Sequence, residues 1–533
     1  MAILNIDVLS FLVFFPAVAA LIVLLLPQNK FLVRWAALVF ATVIAGVSVA
    51  VYFAYNTVAP AGYQFVLQVD WFRAIGASWH VGIDGISASM VLLTGILTPL
   101  AVLIGWEIDE RPNMFLALVL FFTTGSMGVF VALDLMIFFI FYELSLVPMF
   151  FLINQWGSPN RLYASTKFFI YSMGGTLGML LATQLIGITM GTFSIPELVA
   201  RWPDFVGNPD NQAFLGIPVS TVKTLAFLGF FVAFCIKVPV WPFHTWLPDA
   251  HGEAPTPGSM LLAGVMLKLG AYGFLRLVIP LFPDVWVAPI DLLGFVETNW
   301  ATIFAILAVL GVVLGAFAAY GQTDIKRLVA YSSVNHMGFV ALGIAVAALA
   351  YGQAYVNGGV NPEMMQSAIL ATNGAVMQMF NHGLSSAGMF LLAGAIYHKT
   401  HTRDMTQYGG FWVRAPIYGG IFIFTSMASL GLPGLNGFVS EFLVVRGAYP
   451  VFTVLTVISM LGLLLTGGYI LRGIAGTLQG PFNMAWKNTR LEIEPRELIA
   501  IAPLVVLMLI VGIAPNWVLS VINATVTSWL GGV

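Results

Sequence analysis

Long apolar runs alternate along the chain with short polar connections. A helix needs about 20 apolar residues to cross the roughly 30 Å of hydrocarbon in a bilayer. On that template the pattern predicts 14 spans, at residues 4–26, 32–55, 84–106, 113–132, 134–156, 164–190, 220–248, 257–281, 299–321, 327–351, 369–396, 413–446, 451–476 and 498–521. The sequence therefore predicts an all-α, polytopic membrane protein.

The composition supports this interpretation. Hydrophobic residues make up 59% of the chain and charged residues only 8%, whereas soluble proteins carry about 25% charged residues. The net charge is −2 and there is no basic block, so nothing points to nucleic acid. Residues 1–26 lack a basic start and run too long for a signal peptide, so we expect a retained first span.

Two connections carry further patterns. The segment from Tyr63 to Trp71 alternates in polarity, which suits either a short hairpin strand or an interfacial loop. The polar connection 197–220 predicts an ordinary loop.

Two spans are interrupted by helix-breaking residues. Span 7 breaks at Lys237-Val-Pro239-Val-Trp-Pro242, and span 12 breaks at Gly431-Leu-Pro433-Gly434-Leu-Asn-Gly437. The breaks lie five spans apart, and a unit of five spans crosses the membrane an odd number of times. Paired broken helices of this kind are typical of transporters with inverted repeats, although proline and glycine also occur as mere kinks. We therefore predict two inverted five-helix repeats, spans 4–8 and 9–13.

No linker is long enough to separate two domains, so a single transmembrane domain is predicted for residues 1–533. Its expected parts are 1–112 (N-terminal helices and interfacial hairpin), 113–281 (first repeat), 299–476 (second repeat) and 477–533 (C-terminal loop and last helix).

The basic residues predict the orientation. Connections after odd-numbered spans hold 14 Lys and Arg, the opposite side holds 5, and Lys237 and Lys268 complete the 21. The richer side should be cytoplasmic. Both termini are therefore expected outside the cytoplasm.

Four charged residues lie deep in apolar spans: Glu143, Lys237, Lys268 and Glu441. A charge at the bilayer centre costs at least ~2.5–3.5 kcal/mol, and such residues usually move or bind something charged. This pattern predicts an ion or proton translocator.

Glu143 and Lys237 are candidates for a switchable pair. A buried lysine keeps its proton beside a carboxylate and tends to release it when the carboxylate is distant. Alternatively, Glu143 is a neutral carboxyl with one hydrogen bond, or the two residues form a static ion pair.

The other buried polar residues suggest a relay. Lys268 is expected beside a hydrated path, unless it snorkels to the interface. Glu441 could accept the proton, or be an interfacial carboxyl after the second break. His336 and His382 can relay protons, although single histidines are more often core residues. His244, Asp249 and His251 follow the first break with Glu253; they are a possible proton mouth, or belong to a wet loop.

The stretch from Lys237 through Trp241-Pro242-Phe-His244-Thr-Trp-Leu-Pro-Asp249-Ala-His251 to Lys268 resembles the antiporter-like proton-pumping subunits of respiratory complex I. The segments 330–338 and 401–405 agree with it. The resemblance implies that Glu143 and Lys237 form the pair of the first half-channel. It also implies a central relay at Lys268, relay histidines at His336 and His382, and a terminal site at Glu441.

The resemblance extends to cofactors and partners. It implies a subunit of a proton-translocating NADH:quinone oxidoreductase in the bacterial inner membrane, bound to sister antiporter-like subunits and lipid. FMN, iron–sulfur clusters and quinone are then expected in partner subunits. Cys235 is the single cysteine and no nucleotide fingerprint is present, so no redox centre is expected in this chain. At Glu441 the sister subunits and antiporter relatives typically have lysine.

Three alternatives stay open from sequence. The motif around Lys237 is shared with multisubunit sodium/proton antiporters. The equivalent subunit of the photosynthetic, ferredoxin-dependent complex would look the same. A membrane cytochrome would use His336 and His382 as haem ligands.

Overall fold

The computed structural model describes residues 7–58, 62–206, 217–292 and 296–532. This part of the chain consists of 19 helices and two short antiparallel hairpins. The first elements are α1 (Val8–Leu25), α2 (Lys30–Ala54), β1 (Gln64–Phe72), β2 (Ala77–Ile83), α3 (Gly85–Ile104), α4 (Pro112–Val131), α5 (Leu135–Trp156), α6 (Arg161–Met190), α7 (Ile195–Val206), α8 (Val219–Lys237) and α9 (Trp246–Glu253). Then follow α10 (Thr256–Leu281), α11 (Pro283–Val287), β3 (Ile290–Leu292), β4 (Val296–Thr298), α12 (Trp300–Tyr320), α13 (Ile325–Asn357), α14 (Pro362–Thr400), α15 (Pro416–Leu430), α16 (Asn436–Ala448), α17 (Thr453–Leu478), α18 (Pro495–Ile513) and α19 (Asn516–Gly531).

The helices form a multi-pass membrane protein, as the apolar pattern predicted. In the described residues, 12 helices are long and apolar enough to cross a bilayer. The longer and more polar α14 and the broken pair α15–α16 occupy predicted spans 11 and 12. Along its most apolar stretch α10 is 94% buried, whereas α2 is 33% buried and exposes apolar side chains. The bundle therefore encloses a few interior helices within a lipid-facing ring.

Both helix breaks lie where proline and glycine predicted them. Helix α8 ends at Lys237, and the chain resumes a helix at Trp246 after Pro239 and Pro242, which have no N–H to donate. The indole of Trp246 donates to the carbonyl of Ile236 at 2.9 Å, which satisfies one acceptor freed by the break.

The second break is built around left-handed glycines. Helix α15 ends at Leu430, and Gly431 and Gly434 follow with φ values of +82° and +93°. Such backbone conformations are accessible to glycine at little cost. Helix α16 then begins at Asn436.

Two equivalent backbone bridges support the interpretation as a repeat. The helix α5 starts at a short antiparallel bridge in which residues 133 and 135 exchange hydrogen bonds with 195 and 193, at 2.8 and 2.7 Å. Helix α13 starts in the same manner, with residues 323 and 325 bonded to 405 and 403 at 2.9 and 3.0 Å. Asp134 and Asp324 cap the two helices through backbone amides two and three residues ahead. Five crossings separate these starts, which places them on opposite faces; the division into numbered parts stays a prediction.

The alternating segment before α3 forms a hairpin rather than a loop. Strands β1 and β2 pair antiparallel, and the hairpin is fastened to the start of α5. The carbonyl of His80 accepts from Leu133 at 2.9 Å, and the Asp134 carboxylate accepts from the Ser78 amide at 2.9 Å.

Two predictions of the connections were wrong. The segment predicted as a loop at 197–220 begins with helix α7, which buries Ile195, Leu198 and Trp202 at helical spacing; residues 207–216 lie outside the described residues. The last predicted span, 498–521, is two helices, because Pro515 ends α18 and α19 begins after it. Apolar residues continue across this proline, so hydropathy alone hid the break.

Asp134 is a good test of the hairpin attachment, because its carboxylate caps α5 and binds the hairpin. We expect Asp134→Ala to lower stability by about 1–2 kcal/mol, the usual effect of losing an N-cap. The measurement is the thermal midpoint of the detergent-solubilised protein. Asp109→Ala is the control, because its side chain is 69% exposed; an equal loss in both variants would contradict the assignment.

Candidate functional site

The four residues Lys268, His382, His336 and Glu441 lie in one buried row. Lys268 is fully buried on α10, and the exposed fractions of the others do not exceed 3%. They come from four different helices, α10, α14, α13 and α16, so the row exists only in the folded bundle.

The first contact of the row joins the two halves of the chain. The Lys268 ammonium lies 2.8 Å from Nδ1 of His382 and also donates to the carbonyl of Ala263. On the other side of the ring, Nε2 of His382 lies 3.1 Å from the Ser333 hydroxyl. A lysine that donates to a histidine nitrogen can pass it a proton, so this contact is a chemically competent relay step.

The second contact ends the row at a carboxylate. Nδ1 of His336 lies 2.8 Å from Oε1 of Glu441, and the Gln378 amide donates to the same oxygen at 3.1 Å. The hydroxyl of Tyr469 lies 3.4 Å from Nε2 of His336. Glu441 Oε2 has no hydrogen-bond partner in the described residues.

The free carboxylate oxygen points at the second helix break. A Cβ on Gly431 would lie 2.9 Å from Glu441 Oε2, so the glycine leaves room for the carboxylate. Glu441 is therefore held by His336 on one side and faces a backbone interruption on the other. This geometry suits a site that receives a proton from within and releases it elsewhere.

The two contacts are close enough to form one path. The rings of His336 and His382 are 5.7 Å apart between centroids, with planes inclined at 49°. A proton crossing between them needs a bridging water or a ring rotation. The structure thus brings together four of the six residues that the sequence predicted.

Glu143 and Lys237 lie apart from that row and from each other. Lys237 is 2% exposed and its ammonium lies 4.8 Å from the centre of the Tyr142 ring. In the described residues there is no ion pair within 4 Å between Lys237 and Glu143, although the two charges interact at longer range. Glu143 is half-buried, and its Oε1 has no hydrogen-bond partner in the same ranges. The expected pair is therefore in a separated arrangement here.

The link from Lys237 to Lys268 is packing rather than hydrogen bonding. A Cβ on Gly270 would lie 2.9 Å from Cβ of Lys237, so the lysine packs directly on α10 two residues beyond Lys268. The described residues give no hydrogen-bonded chain between the two ammonium groups.

Helix α10 is irregular on both sides of Lys268. Its residues Leu262–Met266 and Phe274–Val278 are π-helical turns, a feature that often marks functional positions. The Ala263 carbonyl that Lys268 binds lies in the first of these turns. No pattern in the sequence predicted them.

None of the three predicted mouth residues, His244, Asp249 and His251, is freely exposed. Asp249 binds Lys167 at 2.7 Å and Arg327 at 2.6 Å, which is a structural ion-pair cluster. His251 is fully buried, its ring lies 4.3 Å from that of Phe390, and neither ring nitrogen has a partner among the described residues. His244 is half-buried beside Tyr331, with ring centroids 6.4 Å apart.

An opening lies nearby instead. A cavity of about 220 Å³ on the same side is lined by charged residues that include Glu107, Glu253, Lys326 and His398. Lys326 is buried and donates to the Ala254 carbonyl at 3.0 Å. Of this set the sequence pattern indicated only Glu253, because Glu107 follows α3 and the other two residues lie on α13 and α14.

Several polar residues around the row were also missed. Asn381 donates to the Asn436 carbonyl at 2.7 Å and to Ser440 at 3.1 Å, and Ser440 donates to Gln378. Gln378, Asn381 and His382 recur at helical spacing in an otherwise apolar segment. That polar stripe was the available signal.

These features define a class: a multi-pass membrane protein in which buried acids and bases from two halves meet across broken helices. The family described as NADH:quinone oxidoreductase/Mrp antiporter, transmembrane, matches residues 132–358 and 362–466. The chain belongs to this family.

Similar proteins cover almost the whole chain. A protein of Pseudomonas aeruginosa named NADH-quinone oxidoreductase subunit M is 39% identical over 521 residues, covering 95% of this chain and 94% of that protein. A protein of Synechococcus elongatus named NAD(P)H-quinone oxidoreductase chain 4 1 is 36% identical over 529 residues, covering 98% and 91%.

Solved structures share the fold. A chain in respiratory complex I from Thermus thermophilus with bound NADH matches with a TM-score of 0.79 and 26% identity, covering 98% of this chain and all of that one (100%). A chain of the Mrp complex from Dietzia matches with a TM-score of 0.76, 21% identity and coverage of 97% and 52%; at that identity only the fold is shown.

The contact between Lys268 and His382 depends on two glycines. A Cβ on Gly383 would lie 2.6 Å from a Leu93 methyl and 3.0 Å from the Gly264 carbonyl. We expect Gly383→Ala to push α14 away from α10 and to lengthen the 2.8 Å contact beyond hydrogen-bond distance.

A structure of the variant at high resolution measures that distance directly. Gly174→Ala on α6 is the matched control, because a Cβ there meets nothing within 4 Å. An unchanged Lys268–His382 distance in Gly383→Ala would show that the glycine does not set the approach.

Proposed function

We propose that this chain is the M-type, proton-translocating membrane subunit of NADH:quinone oxidoreductase. It would couple quinone reduction in other subunits to proton movement across the membrane. The observation that carries the proposal is the buried row Lys268–His382–His336–Glu441, which links the two halves at mid-membrane. The relatives named above support the choice of complex.

In this proposal Glu143 and Lys237 form the switch. When the carboxylate approaches, it stabilises the protonated lysine; when it withdraws, the lysine tends to release its proton. A close pair is worth ~4 kcal/mol at 4 Å and an effective dielectric of ~20. Moving one charge across 100 mV costs ~2.3 kcal/mol. A change in this one pair is therefore sufficient to drive one proton across.

The proton would then travel along the row. Lys268 passes it to His382, His336 receives it, and Glu441 releases it toward the side of the chain termini. Protons would enter from the cavity at Glu253 and Lys326, with the buried ring of His251 behind it. Each step uses a group that can both bind and lose a proton at ordinary pH or when buried.

The partner proposal rests on Glu143. Glu143 is partly exposed on a membrane-spanning helix, and a charged side chain there is unfavourable against lipid. We infer that another membrane-arm subunit covers this face of α5, where its approach would also act on the switch. FMN, iron–sulfur clusters and quinone would belong to partner subunits.

The orientation remains part of the proposal. The count of 14 against 5 basic residues favours a bacterial inner membrane with both termini outside the cytoplasm. A reporter fused to each terminus tests it: alkaline phosphatase should be active and green fluorescent protein dark.

The switch is tested by Lys237→Met and Glu143→Gln in the assembled complex. Each variant should assemble normally and lose proton translocation at least about tenfold, the effect of ~1.4 kcal/mol. Quinone reductase turnover should fall with it. The measurement is acidification of inverted membrane vesicles driven by NADH, normalised to complex content.

Lys487→Met is the matched control, because Lys487 is exposed in the connection before α18. Normal pumping in both switch variants would refute the proposed role of the pair.

A sodium/proton antiporter subunit is the second candidate, favoured by the fold shared with the Mrp complex. The two functions predict different vesicle behaviour. We expect proton flux that depends on NADH and is unchanged by sodium; flux that requires sodium and ignores NADH would select the antiporter. The ferredoxin-dependent complex would instead respond to reduced ferredoxin.

Haem ligation is disfavoured by the histidine contacts. All four ring nitrogens of His336 and His382 have hydrogen-bond partners in the protein. An absorption spectrum of the purified chain without a Soret band would be consistent with this.

A further inference from the structure

A largely buried ion pair joins α10, the helix that carries Lys268, to the start of α3. Arg276 contacts the carboxylate of Asp84, with side chains only 11% and 6% exposed. Asp84 is the residue that caps α3, accepting from the amides of Ile86 and Ser87. The row from Lys268 to Glu441 does not use this pair. Because buried charges are expensive to hold, the pair calls for a functional explanation.

On its outer side the pair lines a cavity. The cavity measures about 240 Å³ and lies between the base of the β1–β2 hairpin and α19, and its walls include Tyr63, Gln64 and Thr525. This is the side of the chain termini. Asp84 and Arg276 both line the cavity; Asp84 is buried and the Arg276 side chain is only 11% exposed, so the two residues form its inner end.

On its inner side the pair meets a polar group that leads toward Lys268. Tyr272 lies one helical turn from Lys268 and one turn from Arg276, on the same face of α10. Its hydroxyl lies 2.8 Å from the Ser87 hydroxyl and donates to the Phe130 carbonyl at 3.1 Å. The Arg276 guanidinium lies 5.6 Å from the centre of the Tyr272 ring.

The local backbone is irregular here as well. Arg276 lies within the second π-helical turn, Phe274–Val278, which follows Lys268 along α10. The first π-helical turn, Leu262–Met266, precedes Lys268. Such turns free carbonyl groups and recur at functional positions. An ion pair, a cavity and an irregular turn thus coincide on the helix of the central lysine.

We propose that Lys268 has a second outlet toward the side of the termini, which passes Tyr272 and is sealed by the Arg276–Asp84 pair. This inference rests on the proposed proton translocation. The fixed positive guanidinium acts as an electrostatic barrier to a proton, as arginines do in water-conducting pores. Asp84 holds it in place. The seal prevents a proton at Lys268 from exchanging with the outer side before it reaches Glu441.

The observed arrangement corresponds to a closed outlet. The Lys268 ammonium binds His382 and the Ala263 carbonyl, which lies five residues earlier on α10 and therefore away from Tyr272. The described residues give no hydrogen bond between Lys268 and Tyr272. In this arrangement Lys268 is turned away from the inner end of the outlet, and the Arg276–Asp84 pair occupies its outer end.

The experiment measures passive proton leak without redox turnover. Sealed vesicles containing the assembled complex receive an imposed pH gradient in the absence of NADH, and an internal pH dye follows its decay. Arg276→Gln removes the fixed charge at similar volume. We expect a roughly tenfold faster decay per complex, equal to the loss of ~1.4 kcal/mol of barrier. Arg276→Lys should restore most of the seal.

A second ion pair on the same side provides the matched control. Lys223 on α8 pairs with Asp284 on α11, with the lysine 2% exposed, but neither residue lines the cavity. Asp284→Asn should leave the leak unchanged. Adding Tyr272→Phe to Arg276→Gln should slow the leak again, because the hydroxyl on the route is gone.

Two results would overturn the proposal: an assembled Arg276→Gln complex as tight as the unmodified one, or an equal leak from Asp284→Asn. If Arg276→Gln does not assemble, the double variant Asp84→Asn/Arg276→Gln, which removes the guanidinium charge without leaving an unpaired carboxylate, is measured in the same way, and a tight vesicle again contradicts the seal. The leak is read without turnover, so a failure of NADH-driven pumping and a failure of this seal are separate observations.

Discussion

The hydrogen bond between Lys268 and His382 is the contact on which the arrangement of the site depends. This hydrogen bond joins α10, a helix of the first half, to α14, a helix of the second half. A charged group in hydrocarbon must have a polar partner, and here each half supplies the partner that the other lacks. Gly383 permits the approach because a Cβ there would lie 3.0 Å from the Gly264 carbonyl, and a Cβ on Gly264 or Gly383 would lie within 2.6 Å of a leucine methyl of α3. At this helix crossing the close packing of the two backbones and the Lys268–His382 hydrogen bond therefore depend on each other.

Helix irregularity accompanies the three buried charged residues of the site, Lys237, Lys268 and Glu441. Lys237 ends α8, Glu441 follows the second break, and Lys268 lies between two π-helical turns. An unbroken helix consumes its own carbonyl and amide groups. Interruptions release some of these groups, which then serve as ligands in a medium that offers few others. Glu143, His336 and His382 lie instead within the continuous helices α5, α13 and α14, and Glu143 is the least buried of the six residues.

The sequence predicted the helices well because hydropathy and length are local properties. It placed both breaks, since proline and glycine act through the backbone at their own positions. It missed α7, whose short apolar face is interrupted by Pro196 and Pro203, and it merged α18 with α19 across Pro515.

The sequence predicted the four residues of the row as candidates, but it did not predict which of them are in contact. No local rule says that Lys268 and His382, which are 114 residues apart, meet at 2.8 Å. The charged cavity that includes Glu107 and Lys326 was not predicted for the same reason, because its lining residues are far apart in the sequence. The π-helical turns were not predicted, since neither Leu262–Met266 nor Phe274–Val278 contains a proline that would mark an irregular helix.

The position of Lys237 over the Tyr142 ring has a consequence for timing. An aromatic face attracts a cation, yet it offers no lone pair that could accept a proton. A charged lysine resting there is held in place without being able to react. In the proposed mechanism Tyr142 would hold the protonated lysine until a carboxylate or a basic nitrogen comes within reach, and whichever of these arrives first would decide the order of events.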